Sequence, residues 1–296
     1  LKASAPPASP DGCAAFDLHG PDIPASPVIL SIPHAGREYP ADLLARARVS
    51  ASVLQRLEDR HVDLLAQPLI ARGHNILVAR TPRAMIDLNR HEREIDPAMV
   101  AGMPREWPLH SSVKLRGGLG LMPRRLSGVG DLWRRPVGWD DVQGWIATVH
   151  RPYHAALTAL MLAAREAHGH AILVDLHSMP PLPPALDGRT PAIVVGDRFG
   201  RSASDRLAQM VVDAAGGIGI VAARNSPYAG DHLLDRHGRP DRGLHAIQIE
   251  IDRRLYLDDA MEEPGPGLDR IRALIVTIVD ALSRALPRAE YPMAAE

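Results

Sequence analysis

The sequence predicts an α/β protein: a mainly parallel, mixed sheet flanked by helices on both faces. Two patterns predict it. Short apolar runs with β-branched centres, such as 28–32 and 172–176, alternate with longer segments whose apolar residues recur at helical spacing, and strands alternating with helices build a parallel sheet covered on both sides. Both of those runs also end in a histidine followed by turn-forming residues, His34-Ala35-Gly36 and His177-Ser178-Met179-Pro180. In open α/β sheets the ligand crevice lies beyond the carboxyl ends of the strands, so two such histidines point to one site. Gly36 lets backbone or ligand approach closely.

The elements follow in order. Residues 1–27 are rich in Pro, Ala and Ser and read as an N-terminal tail or loosely packed lead-in, with 15–18 able to add an edge strand. The remaining 28–290 reads as a single α/β domain. After the strand at 28–32 comes a helical turn at 41–44, then a helix capped by Ser50 in which Val53, Leu54, Leu57, Val62, Leu65 and Leu69 keep one face. That helix is expected to carry Asp59, His61 and Asp63. A strand over 75–80 leads to the short segment 85–90. Residues 91–140 show no sustained period and many Gly, Pro and Arg, the signature of an active-site wall or lid. A long helix over 142–168 should kink at Pro152. Then come the strand at 172–176, a proline-rich turn at 180–184, a strand at 192–195, a helix over 202–215, strands at 218–222 and 245–251, and a closing helix over 267–286.

Composition narrows the function. The chain has 296 residues, with 34 Lys plus Arg against 35 Asp plus Glu, so no global field attracts nucleic acid or an anionic membrane. Any anion recognition must be local, and arginine, which supplies nearly all the positive charge, suits carboxylates. The single cysteine, Cys13, excludes a disulfide or a thiolate cluster within the chain, so a metal would need His and carboxylate ligands. No apolar run is long enough for a membrane span and no signal peptide opens the chain, which leads to the expectation of a soluble, cytoplasmic protein. Nothing fixes the oligomeric state.

Four groups of residues could carry chemistry. His34 and His177 at strand ends are candidate metal ligands, with Asp59 or His61 as a third, although Asp59 and Asp63 could equally pair with Arg56 or Arg60 on a solvated face. Glu250 interrupts an apolar strand and is either a general base with a pKa raised by burial or a partner of Arg253 or Arg254. Of the arginines at turns and strand ends, Arg80, Arg83, Arg90, Arg116 and Arg151, the pair Asn89-Arg90 is best suited to gripping a carboxylate. Finally, His150 and His154 are four apart across Pro152. That spacing could bind metal or serve packing.

Ser31-Ile32-Pro33-His34-Ala35-Gly36, Asp59-Arg60-His61-Val62, Ile86-Asp87-Leu88-Asn89-Arg90, His150-Arg151-Pro152-Tyr153-His154, Asp175-Leu176-His177-Ser178-Met179, Gly196-Asp197-Arg198-Phe199-Gly200 and Ile247-Gln248-Ile249-Glu250-Ile251 with Arg254-Leu255-Tyr256 resemble the N-formylglutamate amidohydrolase family. The matches run in order from about 28 to 256. The family is similar in fold to the zinc carboxypeptidases (phosphorylase/hydrolase-like) and the aminoacylase-like deacylases. The resemblance implies Zn2+ or another divalent metal on His34, Asp59 and His177. Glu38 and His61 rival Asp59, because in carboxypeptidases the acid follows the first histidine closely. It further implies Glu250 as the carboxylate that activates water, and Asn89 and Arg90 as the grip on the substrate carboxylate, helped by Arg83 and Arg116. The implied reaction is hydrolysis of N-formyl-L-glutamate, or of a related small acidic N-acyl amino acid, to formate and glutamate in amino-acid metabolism such as histidine degradation. A zinc carboxypeptidase acting on short peptides and a non-catalytic ligand-binding relative are the alternatives.

Overall fold

The computed structural model describes residues 14–184 and 188–286. Seven strands form one sheet: β1 (Phe16–His19), β2 (Val28–Ile32), β3 (Asn75–Ala79), β4 (Ala171–Met179), β5 (Ile193–Gly196), β6 (Ala222–Arg224) and β7 (Leu244–Asp252). Their order across the sheet is β1-β3-β2-β4-β7-β5-β6. The centre, β3-β2-β4-β7, is parallel, β1 runs antiparallel to β3, and β5 and β6 run parallel to each other but antiparallel to β7. The expected mainly parallel mixed sheet is therefore present. Among the described residues no helix is long and apolar enough to cross a membrane.

The two faces of the sheet are unlike, and that difference places the site. Successive strand residues point to opposite faces. On one face Leu30 and Ile32, Val174 and Leu176, Ile249 and Ile251 are all buried against α2 (Asp205–Gly217) and α4 (Leu268–Ser283) through Leu207, Val211, Leu274 and Ile278. The other face starts apolar, with Ile29, Leu173 and Ala246 beneath Tyr153 and Leu157 of α1 (Arg151–His168). Toward the carboxyl ends the same rows turn polar: Ser31 lies beside Asp175, Gln248 beside Asp175, and Glu250 beside His177. The Ser31 hydroxyl meets the Tyr153 hydroxyl at 2.9 Å where the apolar layer gives way to the polar one.

Four local expectations change. Residues 1–13, Cys13 included, lie outside the described residues, but 14–27 is not loose: β1 pairs along β3, and the buried Phe16 packs edge-on against Tyr153 at 5.3 Å. The helix expected over 50–69 is broken into Ala51–Leu54, the 3-10 turns Gln55–Leu57 and Val62–Ala66, and Gln67–Ala71. Glu58 is extended and His61 left-handed at φ 56°, so Asp59 sits in a loop rather than on a helix. The strand expected over 218–222 starts only at Ala222, because α2 runs on to Gly217 and the chain turns through Gly219 at φ 74°. The long helix over 142–168 is present, but the irregularity ahead of Pro152 takes the form of a π turn over Ile146–His150. It keeps Trp145, Val149, Tyr153 and Leu157 all in the core.

Gly36 shows the close approach expected of it. A Cβ there would press on the carbonyl of Thr81, which is backbone and cannot swing aside. Gly36→Ala should displace the His34 loop and cost about 1–3 kcal/mol, read as a lower denaturant midpoint. An unchanged midpoint would show that the two segments are free to separate.

Candidate active site

The loop after β2 carries His34, and the backbone N–H of Asp59 donates to the His34 carbonyl at 2.9 Å, which sets the acid beside the ring. The Asp59 loop is pinned on several sides. Tyr39 donates to Glu58 at 2.7 Å, Tyr256 to the Arg60 carbonyl at 2.7 Å, and Arg253 to the Glu58 carbonyl and, at 3.1 Å, to the Ser178 hydroxyl. From β4, Asp175 and His177 reach the same space, being two apart on one face.

The result is a buried constellation of two imidazoles around one carboxylate. Asp59 Oδ2 lies 2.8 Å from His177 Nδ1 and 3.4 Å from His34 Nδ1. Each ring turns its other nitrogen outward to a further buried acid: His34 Nε2 to Asp87 at 2.7 Å, His177 Nε2 to Asp175 at 2.9 Å. With both Nε2 protons committed to carboxylates, both Nδ1 atoms converge on Asp59, and that of His34 is buried with no hydrogen bond at all. Among the described residues, His34, Asp59 and His177 form a group whose donor atoms lie within 4.8 Å of one another. A ring held by a carboxylate on one nitrogen and facing a shared point with the other is how histidines are oriented toward a divalent metal, and two histidines and a carboxylate make an open three-ligand set. The donors fit such an ion.

Electrostatics follow from this crowding. Burial would raise Asp59, but the hydrogen bond from His177 and the charges of His177 and His34 outweigh it and hold the carboxyl far below its usual range. Burial would lower His177, yet Asp175 and Asp59 together keep it well above the ordinary histidine value. Burial likewise opposes ionisation of Asp87, and Arg83, His34 and Arg90 overcome it. Glu250 differs: burial, with Asp59 adding to it, pushes it up to about 7 against the pull of His177 and Arg83. Its Oε1 accepts from Gln248 at 2.7 Å. Arg253 is turned to Asp59 and Ser178 and Arg254 to Asp252 at 2.6 Å, so neither offers Glu250 the pairing that was the alternative reading.

The rivals for the third position fall elsewhere. Glu38 pairs with the half-exposed Arg80, and His61 lies 3.6 Å from Glu263. Asp63 takes the solvated role foreseen for one of the two helix acids, held by both terminal nitrogens of Arg37 at 2.7 and 2.9 Å.

The expected carboxylate grip is rearranged. Asn89 is spent on the protein: its carbonyl accepts from the Leu233 N–H at 2.9 Å, and its amide lies 3.3 to 3.5 Å from His177, Gln248 and Asp175. Arg90 is buried and donates to the carbonyls of Leu119 and Asn89, with Asp231 at 2.7 Å. Arg116 is exposed and touches Ser111 at 3.4 Å. Arg83 does face the site, with Nε on Asp87 at 2.8 Å and its charge felt by Glu250. Lys114, absent from the sequence-level candidates, is the cation that the 91–140 segment turns inward. Burial lowers it, Arg90 and Arg83 lower it further, Asp231 and Glu250 raise it, and its ammonium lies 5.7 Å from the Tyr228 ring. Asp87, Asp175 and Gln248 were also missed. The i, i+2 spacing of Asp175 to His177 and of Gln248 to Glu250 was the available signal. Nothing local marked Asp87 or Lys114.

A mainly parallel sheet whose central strands and adjoining loops gather two histidines, four acids and two inward cations at their carboxyl ends is the build of an α/β hydrolase-type enzyme. The comparisons give the family. Residues 26–257 match the model of the N-formylglutamate amidohydrolase family, and the chain belongs to that family. It is 33% identical to the N-formylglutamate amidohydrolase of Ralstonia eutropha JMP134, whose crystal structure superposes with a TM-score of 0.82 over 90% of this chain and 97% of that one. The N-formylglutamate deformylase of Pseudomonas aeruginosa is 27% identical over 79% of this chain and 83% of its own length, and that of Pseudomonas putida 26% identical over 79% and 82%. A structure from Agrobacterium tumefaciens, 19% identical with a TM-score of 0.60 over 91% of this chain and 96% of that one, shares the fold.

The position of Asn89 predicts a brace rather than a substrate grip. Asn89→Ala strands the Leu233 N–H and should cost about 1–3 kcal/mol in stability, measured by denaturant unfolding. A wild-type midpoint with only KM raised would return Asn89 to the substrate.

Proposed function

We propose that this chain hydrolyses the formyl amide of N-formyl-L-glutamate, taking up water and releasing formate and L-glutamate. The observation that carries the reading is that the family match over 26–257 encloses every member of the buried constellation, from His34 to Glu250. His34, Asp59 and His177 would hold a divalent metal, Zn2+ in the first instance. Such an ion would supply Lewis-acid polarisation of the formyl carbonyl and would lower the pKa of a water molecule.

The chain's own residues do the rest. Glu250 accepts a proton from the attacking water on its carboxylate and returns it to the departing amine nitrogen, a role for which a value raised to about 7 is suited. Gln248 fixes the rotamer of Glu250. Asp87 and Asp175 keep the two rings aimed and their Nε2 protons in place. Arg83 and Lys114 supply positive charge for the substrate's carboxylates, and Tyr228 closes over Lys114. Arg90 and Asn89 hold the floor on which Arg83 and Asp87 stand.

The deciding experiment is formate release from N-formyl-L-glutamate by Zn2+-loaded protein, with N-acetyl-L-glutamate alongside. Activity on the formyl substrate is expected to vanish in His177→Ala and to drop about 10²–10⁴-fold in Glu250→Gln. Binding of Zn2+ without formate release from either compound would sink the substrate assignment.

Two further outcomes follow. As pH falls, Glu250 gains a proton and can no longer accept one, so kcat/KM declines on the acid side. A bound cation pulls its value below the 7 of the metal-free protein, so the midpoint should lie at or under pH 7, and the limb should be missing from Glu250→Gln. In addition, Asp87→Asn and Asp175→Asn should each weaken Zn2+ about 10–100-fold in a competition titration with a chelating dye. Unchanged affinity in both would detach the outer acids from the metal.

A further inference from the structure

A second group of ring nitrogens lies apart from the active site. His150 ends the π turn, His154 lies in the first turn of α1, and His232 opens the short helix α3 (His232–His237). One nitrogen from each ring lies within 4.8 Å of the others. The rings crowd together, with centroids of His150 and His154 4.5 Å apart, His154 and His232 5.2 Å, and His150 and His232 5.9 Å. We propose that His150, His154 and His232 form a second metal site, selective for a late first-row dication such as Zn2+.

The hydrogen bonds say which nitrogens are free. His150 Nε2 donates to the Arg90 carbonyl at 2.8 Å, which leaves Nδ1 as the lone pair, and that atom is buried with no partner. His154 Nε2 donates to the Leu88 carbonyl at 3.0 Å, and its Nδ1 lone pair takes the Nε2 proton of His237 at 3.0 Å. His232 Nε2 is buried with no partner. Packing of aromatic rings does not explain two buried nitrogens left unsatisfied, since a buried polar atom without a partner is destabilising. A cation satisfies both and exchanges the His237 contact for a coordinate bond. Backbone carbonyls holding the outward N–H of two rings are the usual orienting partners of metal-bound histidine. Nitrogens of a tetrahedral zinc site stand about 3.4 Å apart at bond lengths of about 2.0–2.1 Å, so small ring rotations complete the geometry.

The donor set also selects the ion. Three imidazoles and no carboxylate suit Zn2+ and its neighbours and exclude Mg2+ and Ca2+. The rings are neutral, as ligands must be: burial, with Arg236 adding to it, pushes His150 down to about 4, and burial, then His150, His91 and Arg236, pushes His232 to about 2. The site backs the active centre without joining it. Its rings hold the carbonyls of Leu88 and Arg90, whereas the side chain of Asn89 between them faces Asp175 and His177.

The test is metal stoichiometry. Full-length protein is stripped with a chelator, reloaded with Zn2+, desalted and analysed by mass spectrometry of the metal. Two equivalents per chain are expected, falling to one in His232→Gln, whose side chain is only partly buried and can be changed without emptying the core, and to one in His177→Gln. In the His177→Gln background, Zn2+ should still raise the melting temperature, and adding His232→Gln should abolish that rise. One equivalent in the intact chain that His232→Gln leaves unchanged, or a His177→Gln chain that binds none, overturns the second site whatever the fate of the first.

Discussion

Everything around the site depends on two buried acids doing an orienting job. Asp87 and Asp175 each take the Nε2 proton of one imidazole, and that contact turns the opposite nitrogen, Nδ1, toward the point shared with Asp59. Burial makes this costly, since an ionised carboxylate in the interior must be fully compensated. The surroundings compensate it: Arg83 and the Asn89 N–H on Asp87, the Asn89 amide near Asp175, and Arg253 on Asp59. The interlocked loops at 34–36, 58–61 and 83–90 are the structural price of that compensation.

The sheet makes such a concentration of charge tolerable. On β2, β4 and β7 the face toward α2 and α4 is lined by Val28, Leu30 and Ile32, by Ile172, Val174 and Leu176, and by Ile247, Ile249 and Ile251, whereas their other face is apolar only up to the row of Ser31 and Asp175. Stability is supplied by the first face and by the lower half of the second. The chemistry occupies strand ends whose backbone is already immobilised by pairing on both sides, which is the preorganisation a catalytic site needs.

Much of this was legible in the sequence because strand ends declare themselves. The runs into His34 and His177 and the acid inside 245–251 gave the sheet edge, two rings and Glu250. The order of short motifs gave the family. The break of the 50–69 helix was not legible. Val53 through Leu69 keep helical spacing, yet Asp59 N–H bonds to His34 and Tyr256 holds Arg60, long-range contacts that override local propensity. The present partners of Asn89 and Arg116 were not legible for a related reason. Residue type suggests what a side chain can grip, but the Leu233 N–H that captures Asn89 is 144 positions away. Lys114 carries no local mark at all, because the charges it faces, those of Arg90, Asp231 and Glu250, come from other parts of the chain.

The strand order has a consequence for the chain in time. β2 is bordered by β3, made soon after it, and by β4, which begins only at Ala171, while β7 is not complete until Asp252. During synthesis the apolar edge of β2 waits unpaired while more than a hundred further residues emerge, and non-local parallel pairing of this kind is slow and exposed to aggregation. His34 and Glu250 belong to opposite ends of that wait. The buried group of His34, Asp59, His177 and Glu250 therefore comes together only once β7 has been made.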